Sequence, residues 1–148
     1  MFEICSHSQK RRIPPFLTVA VVILALCALF FVLLSHPFSL DDTKGRCAYL
    51  AACGWTADPA SEELREIELP AAFDRIWENY NALQLSQGFD LRAAAGERCL
   101  CCSYDLVDYP GWDGRVIATL YIYRGRVIGG DVHTASAEGF MRALRRVL

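Results

Sequence analysis

The chain has 148 residues, of which 53% are hydrophobic, with 15 basic and 17 acidic side chains and a net charge of −2 at neutral pH. That length admits one compact domain beside any long apolar segment. The near-balanced, scattered charge leaves no basic face for nucleic acid, and no repeat or low-complexity tract points to an array or a linker.

The first feature in chain order is Phe16 to Leu34, FLTVAVVILALCALFFVLL, which carries no charge. At about 1.5 Å per residue, a helix of that length nearly crosses a hydrocarbon core of roughly 30 Å. Lys10, Arg11 and Arg12 precede it and would hold the N-terminus inside. A cleaved signal peptide is the alternative. The run exceeds an ordinary signal core, and Leu33 before Ser35 spoils a small-x-small cleavage site. The sequence therefore predicts a cytoplasmic tail over 1–12, a single-pass transmembrane helix over 13–35, a juxtamembrane stretch over 36–45 and an extracytoplasmic domain over 46–148.

Beyond the apolar run, Asp42 to Cys53 reads as a short helix, with an acidic or Thr43 cap and Gly54 as its stop. Cys47, Leu50 and Ala51 fall on one face, and Trp55 follows. Leu64 to Leu69 alternates weakly, as an edge strand does. Pro70 opens a longer helix, Ala71 to Gln87, stopped by Gly88. Phe73, Ile76, Trp77, Tyr80 and Leu83 recur at the spacing of one apolar face. Arg98 to Tyr109 and Gly114 to Tyr123 read as strands joined by Pro110-Gly111. Arg124-Gly125 turns the chain into Arg126 to Val132. Ser136 then suits the cap of a last helix ending at Val147, with Phe140, Met141 and Leu144 on its buried face. The predicted fold is α+β: a three-stranded antiparallel meander packed against helices, behind the transmembrane helix.

Several of these pieces resemble a known family when taken together. They are Cys53-Gly54-Trp55, Leu69-Pro70, Tyr80-Asn81-Ala82-Leu83-Gln84 leading to Gln87-Gly88-Phe89-Asp90-Leu91, Tyr109-Pro110, Val127 to Val132, and Gly139-Phe140-Met141. From about Arg46 to Leu144 the chain resembles the bacterial proteins, mostly from Firmicutes, catalogued as domain of unknown function 4830. The resemblance implies a short protein with one N-terminal apolar segment, and it brings no activity, cofactor or catalytic residue. The run Cys99-Leu100-Cys101-Cys102 departs from what it implies.

Candidate chemistry is sparse. Among the seven cysteines, Cys47, Cys53, Cys99, Cys101 and Cys102 fall in the domain. They read as small buried apolar residues, as disulfide partners, or, without paired C-x2-4-C spacing, least well as metal ligands. Asp131 and His133 share one strand face, so an acid could orient a base there, yet no nucleophile is fixed beside them by spacing. Asp105, Asp108 and Asp113 flank a turn without calcium-loop spacing. Gly129-Gly130 reads as a bulge or a close backbone approach. Gln84 lies inside the apolar stripe of its helix, and a buried amide needs partners, for which the backbone near Gly129-Gly130 is the natural source.

From the residues alone, the chain is expected to be a non-catalytic binding or interaction module without a cofactor or metal. The membrane and an unidentified protein or small molecule are its expected partners. The expected site is Gln84, Gln87, Asp90, Gly129, Gly130 and Asp131. The alternative is a small extracytoplasmic enzyme using Asp131 and His133, or a cysteine thiol.

Overall fold

In a computed structural model of the chain, the described residues are 23–26, 39–107, 109–136 and 138–145. The chain divides into two units, Met1–Pro37 and Phe38–Leu148. In the first, residues 23–26 are helical. The expected transmembrane helix is corrected here: among the described residues, no helix is long and apolar enough to cross a membrane. The expected tail over 1–12 and the rest of Phe16–Leu34 lie outside the described residues.

The second unit opens with helix α1, Thr43–Ala52, capped by Asp42, whose carboxylate accepts from the Gly45 amide. Gly54 ends it at φ 95°, a left-handed conformation that glycine takes without steric cost. Strand β1, Thr56–Ala57, a 3-10 turn, Pro59–Ser61, and strand β2, Glu63–Glu68, follow. Both strands pair antiparallel with β3, Arg98–Val107: Thr56 opposes Val107, and Glu63 opposes Ser103. The two are one edge, looped out in the middle. The loop turns Glu62 inward, where its carboxylate accepts from Arg46 Nη2 at 2.7 Å, from Thr43 Oγ1 at 2.8 Å and from the Tyr104 hydroxyl. Arg46 Nη1 also donates to the Leu40 carbonyl at 2.8 Å. Burial alone would raise the Glu62 pKa, but the hydrogen bonds from Tyr104, Arg46 and Thr43 hold it below the ordinary carboxylate value.

Helix α2, Arg75–Leu85, starts at Asp74, whose Oδ1 accepts from the amides of Ile76 and Trp77. A second 3-10 turn, Leu91–Ala94, leads into β3. Strands β4, Val116–Tyr123, and β5, Arg126–Thr134, form a hairpin through Arg124 and Gly125, both at positive φ. Strand β6, Met141–Ala143, adds to the far side of β5. The result is a six-stranded antiparallel sheet in the order β1-β3-β4-β5-β6, with β2 beside β1 on the edge of β3.

Two expectations fail here. The three-stranded meander is only the middle of a larger sheet. The last helix from Ser136 is a turn and a strand. β5 would otherwise leave the backbone groups on the edge away from β4 unpaired, and residues 141–143 pair along that edge with residues 131–133. The turn closes through Thr134, whose amide donates to the Phe140 carbonyl and whose hydroxyl accepts from the Phe140 amide. A β-carbon on Gly139 would collide with that hydroxyl, so the turn needs glycine.

The sheet has two unlike faces. Leu50 of α1 covers one, with Cys102, Tyr104, Val116, Ala118, Leu120, Val132 and Leu144 in a continuous core. The other carries a smaller cluster around Leu69, Leu91, Ala94, Cys99 and Ile128, joined by Trp77 and Tyr80 of α2. That face is only partly covered.

Candidate functional site

Helix α2 does not pack through the face that hydrophobicity selects. Ile76 is 74% exposed, whereas Asn81 and Gln84 are fully buried. Trp77, Tyr80, Asn81 and Gln84 still fall at i, i+3, i+4 and i+7, so one stripe faces the sheet. Half of that stripe is amide because part of what the helix meets is backbone.

The amides form a seam. Gln84 Oε1 accepts from the Gly130 amide at 2.8 Å. Gln87 Nε2 donates to the Gly130 carbonyl at 3.1 Å, and Gln87 Oε1 accepts from the Leu144 amide at 2.6 Å. The β5–β6 ladder ends at the pair Asp131 and Ala143. Gln87 therefore takes over, with its side chain, the bonds that Gly130 and Leu144 would otherwise exchange. A register shift between Tyr121 and Ile122 bends the hairpin just there. Gly129 and Gly130 let the strands and the helix close in. A β-carbon on Gly130 would lie 2.6 Å from the Thr119 carbonyl oxygen, and one on Gly129 2.6 Å from Leu91 Cδ2. Asp90 lies off this seam. It caps the Leu91–Ala94 turn through the Arg92 amide and accepts from Asn81 Nδ2 at 2.9 Å. Asn81 Oδ1 in turn takes the Leu91 amide. Of the six expected site residues, Gln84, Gln87, Gly129 and Gly130 thus hold helix to sheet, and Asp90 holds a turn.

Asp131 is different. Its side chain is 2% exposed. Oδ2 accepts from the Tyr80 hydroxyl, and Oδ1 bonds His133 Nδ1 at 2.6 Å. The three residues join helix to strand in one polar chain, and the His133 ring is 28% exposed. The hydrogen bond to Asp131 raises the His133 pKa above its ordinary value, against the opposing effect of burial. Burial, reinforced by the Asp131 charge, keeps the Tyr80 phenol protonated.

This chain lines an open cleft of about 530 Å³ between α2 and the uncovered sheet face. Ile76, Trp77 and Leu83 supply one wall, Thr119 and Tyr121 the base, and Met141 of β6 the opposite lip. The aromatic rings run on from Phe73 through Trp77 and Tyr80 to Tyr121 at centroid spacings of 5.7, 6.1 and 6.0 Å. His133 also borders a second, more polar hollow of about 280 Å³. There Arg65 pairs with Glu63 at 2.8 Å and Arg115 with Asp105 at 2.7 Å.

The described cysteines do not form a reactive cluster. Cys47, Cys53, Cys99, Cys101 and Cys102 are free thiols. Burial pushes the Cys101 thiol up to about 11 and that of Cys102 to about 12. Both stay protonated at neutral pH, which makes them poor nucleophiles. Among the described residues, no group of three or more His, Cys, Asp or Glu side chains could hold a metal ion. Asp105 lies in β3 and Asp113 in the loop before β4, while Asp108 lies outside the described residues.

The sequence reading missed Tyr80 as a polar partner and Met141 and Ile76 as cleft residues, because their apolar character assigned them to a core. The signal was available in the buried amides at 81 and 84, which fix the phase of α2. No protein-family model matches the chain, and no curated protein and no solved structure matches it either.

Proposed function

We propose that the domain is a non-catalytic binding module whose ligand is a compact apolar molecule seated in the cleft between α2 and the sheet. The observation that carries this reading is the placement of Ile76, Leu83 and Met141. These apolar side chains line an open cleft instead of joining the core, beside one set of anchored polar groups. Mostly apolar walls with a few convergent polar groups are the usual composition of a small-molecule site. Asp131 belongs to this site, and the amide seam behind it keeps helix and sheet at a fixed separation.

The neutral fluorophore N-phenyl-1-naphthylamine tests the reading. The full chain is expected to bind it saturably at one site per chain. Ile76→Asp should weaken binding about tenfold or more without changing the melting temperature. Binding that is unsaturable, or unaffected by Ile76→Asp, contradicts the reading.

A hydrolytic enzyme is the second reading, favoured by the Asp131–His133 bond, which orients an imidazole as a general base requires. Against it, no serine or cysteine is among the described residues that line the cleft, and the Cys101 thiol of the adjoining hollow is held protonated. Hydrolysis of 4-nitrophenyl acetate that disappears in His133→Gln would support this second reading over the first.

A further inference from the structure

We propose that the ligand of the cleft is an uncharged hydroxyl compound, an alcohol or a phenol, whose hydroxyl meets His133 Nε2 and whose apolar body lies against Ile76, Trp77 and Leu83. The proposal rests on the binding reading above and adds the ligand's chemical class.

The bonding around His133 limits the polar group. Asp131 bonds the ring through Nδ1, so Nε2 is the nitrogen left to meet a ligand. A carboxylate only accepts. In the neutral ring the proton therefore sits on Nδ1, and Nε2 presents a lone pair. In the protonated ring, Nε2 donates instead. Imidazole changes charge near neutral pH, and this ring is 28% exposed, so the ligand meets both forms. A carboxylate head fits only the protonated form, and an ammonium head only the neutral one. A hydroxyl donates and accepts, so it fits both. The other polar groups that line the cleft are of the same kind. The Asn79 amide and the Thr119 and Tyr121 hydroxyls each donate and accept. Thr119 shares its hydroxyl with Ser103 at 3.3 Å, a bond that runs in either direction.

A charged head is disfavoured by what the cleft lacks. No lysine or arginine is among the described residues that line it, and Asp131 is the one carboxylate among them. That carboxylate is 2% exposed, and Tyr80 and His133 engage its two oxygens. In the adjoining hollow, Arg65 and Arg115 pair with Glu63 and Asp105. A charged group entering the cleft would lose water without gaining a free counter-charge. A pure hydrocarbon fails in the opposite way. It would displace water from His133 Nε2 and offer no bond in return.

The test holds the body constant and changes only the head. 2-Naphthalenemethanol, 2-methylnaphthalene, 2-naphthoate and 2-naphthalenemethylamine compete with N-phenyl-1-naphthylamine for the full chain, as wild type, His133→Gln and His133→Leu. The alcohol is expected to bind wild type about fivefold or more tighter than each of the other three, the gain of one neutral hydrogen bond. Its advantage over 2-methylnaphthalene should vanish in His133→Leu. It should persist at about threefold in His133→Gln, whose amide also donates and accepts. An acid or amine that binds wild type as tightly as the alcohol overturns the proposal. So does a hydrocarbon that matches the alcohol, or an alcohol advantage that survives His133→Leu. If all four compete equally and Ile76→Asp abolishes binding, the cleft stands as the site and the hydroxyl assignment falls. If the fluorophore does not bind, both fall. The wild-type ranking of the four heads decides the matter even if a variant is unstable.

Discussion

Gln84, Gln87 and Asp131 lie within a few residues of one another in space, yet they do different work. Gln84 satisfies a buried backbone amide, so Gln84→Ala leaves the Gly130 N–H without a partner and opens a cavity. Denaturant unfolding should show a loss of about 2–4 kcal/mol. A loss below about 0.5 kcal/mol would mean the seam is not structural. Asp131 instead holds His133, and that bond makes stability depend on pH. The pKa of His133 is raised on folding, so its contribution is fully present below the ordinary histidine value and is lost as pH rises through the raised one. Glu63, Arg65, Asp105, Arg115 and Cys101 share the hollow that His133 borders, and Tyr80 faces Asp131 from α2. Of these, Cys101 and Tyr80 are held protonated above this window. Melting temperature should therefore fall as pH is raised through the region above about 6.5, and the slope should flatten in His133→Gln. An unchanged slope in the variant would assign the dependence to another group.

At the scale of elements, α2 shows what a sequence reveals and what it hides. Its existence was legible from the periodic apolar residues and Gly88, although it starts from the Asp74 cap and not at Ala71 after Pro70, and α1 was legible from Asp42 and Gly54. The hairpin β4–β5 was legible from its alternation and from Arg124-Gly125. The phase of α2 was not, because hydrophobicity cannot tell a core-facing Ile76 from one that lines a cleft. The last strand was hidden for a related reason. Phe140 and Leu144 are spaced for a helix face, but the unpaired edge of β5 captures residues 141–143 instead. The Tyr80–Asp131–His133 chain was half legible: the pair at i and i+2 lies in the sequence, while the tyrosine arrives only through the docking of α2. The docking angle also makes a prediction. Ile76→Asp should change unfolding free energy by about 0.5 kcal/mol or less, since the side chain is exposed. On the opposite sheet face, Arg46→Met should cost about 1.5–3 kcal/mol in the same measurement, because it removes the guanidinium bonds to the partly buried Glu62 carboxylate and to the Leu40 carbonyl. Similar effects from the two substitutions would show that one of the two faces is wrongly assigned.

Across the whole domain, the two sheet faces divide the labour. The face under α1 is a closed core, tied at its edge by Arg46, Glu62 and Tyr104. The exposed edge strand β2, ELREIE, carries four charges that discourage pairing with another chain. The opposite face is held at one end by the amide seam and left open at the other, where Tyr121, Thr119, Asp131 and His133 line the cleft. An open, mostly apolar cleft backed by rigid hydrogen bonds is the central claim. Amide-resolved NMR of the full chain during titration with N-phenyl-1-naphthylamine tests it most directly. Shifts should concentrate on the amides of Thr119, Tyr121, Asp131 and His133 and on the indole N–H of Trp77, with the amides of α1 unmoved. Shifts centred instead on α1, or on Glu63, Arg65 and Arg115 with the Trp77 indole unmoved, would contradict it.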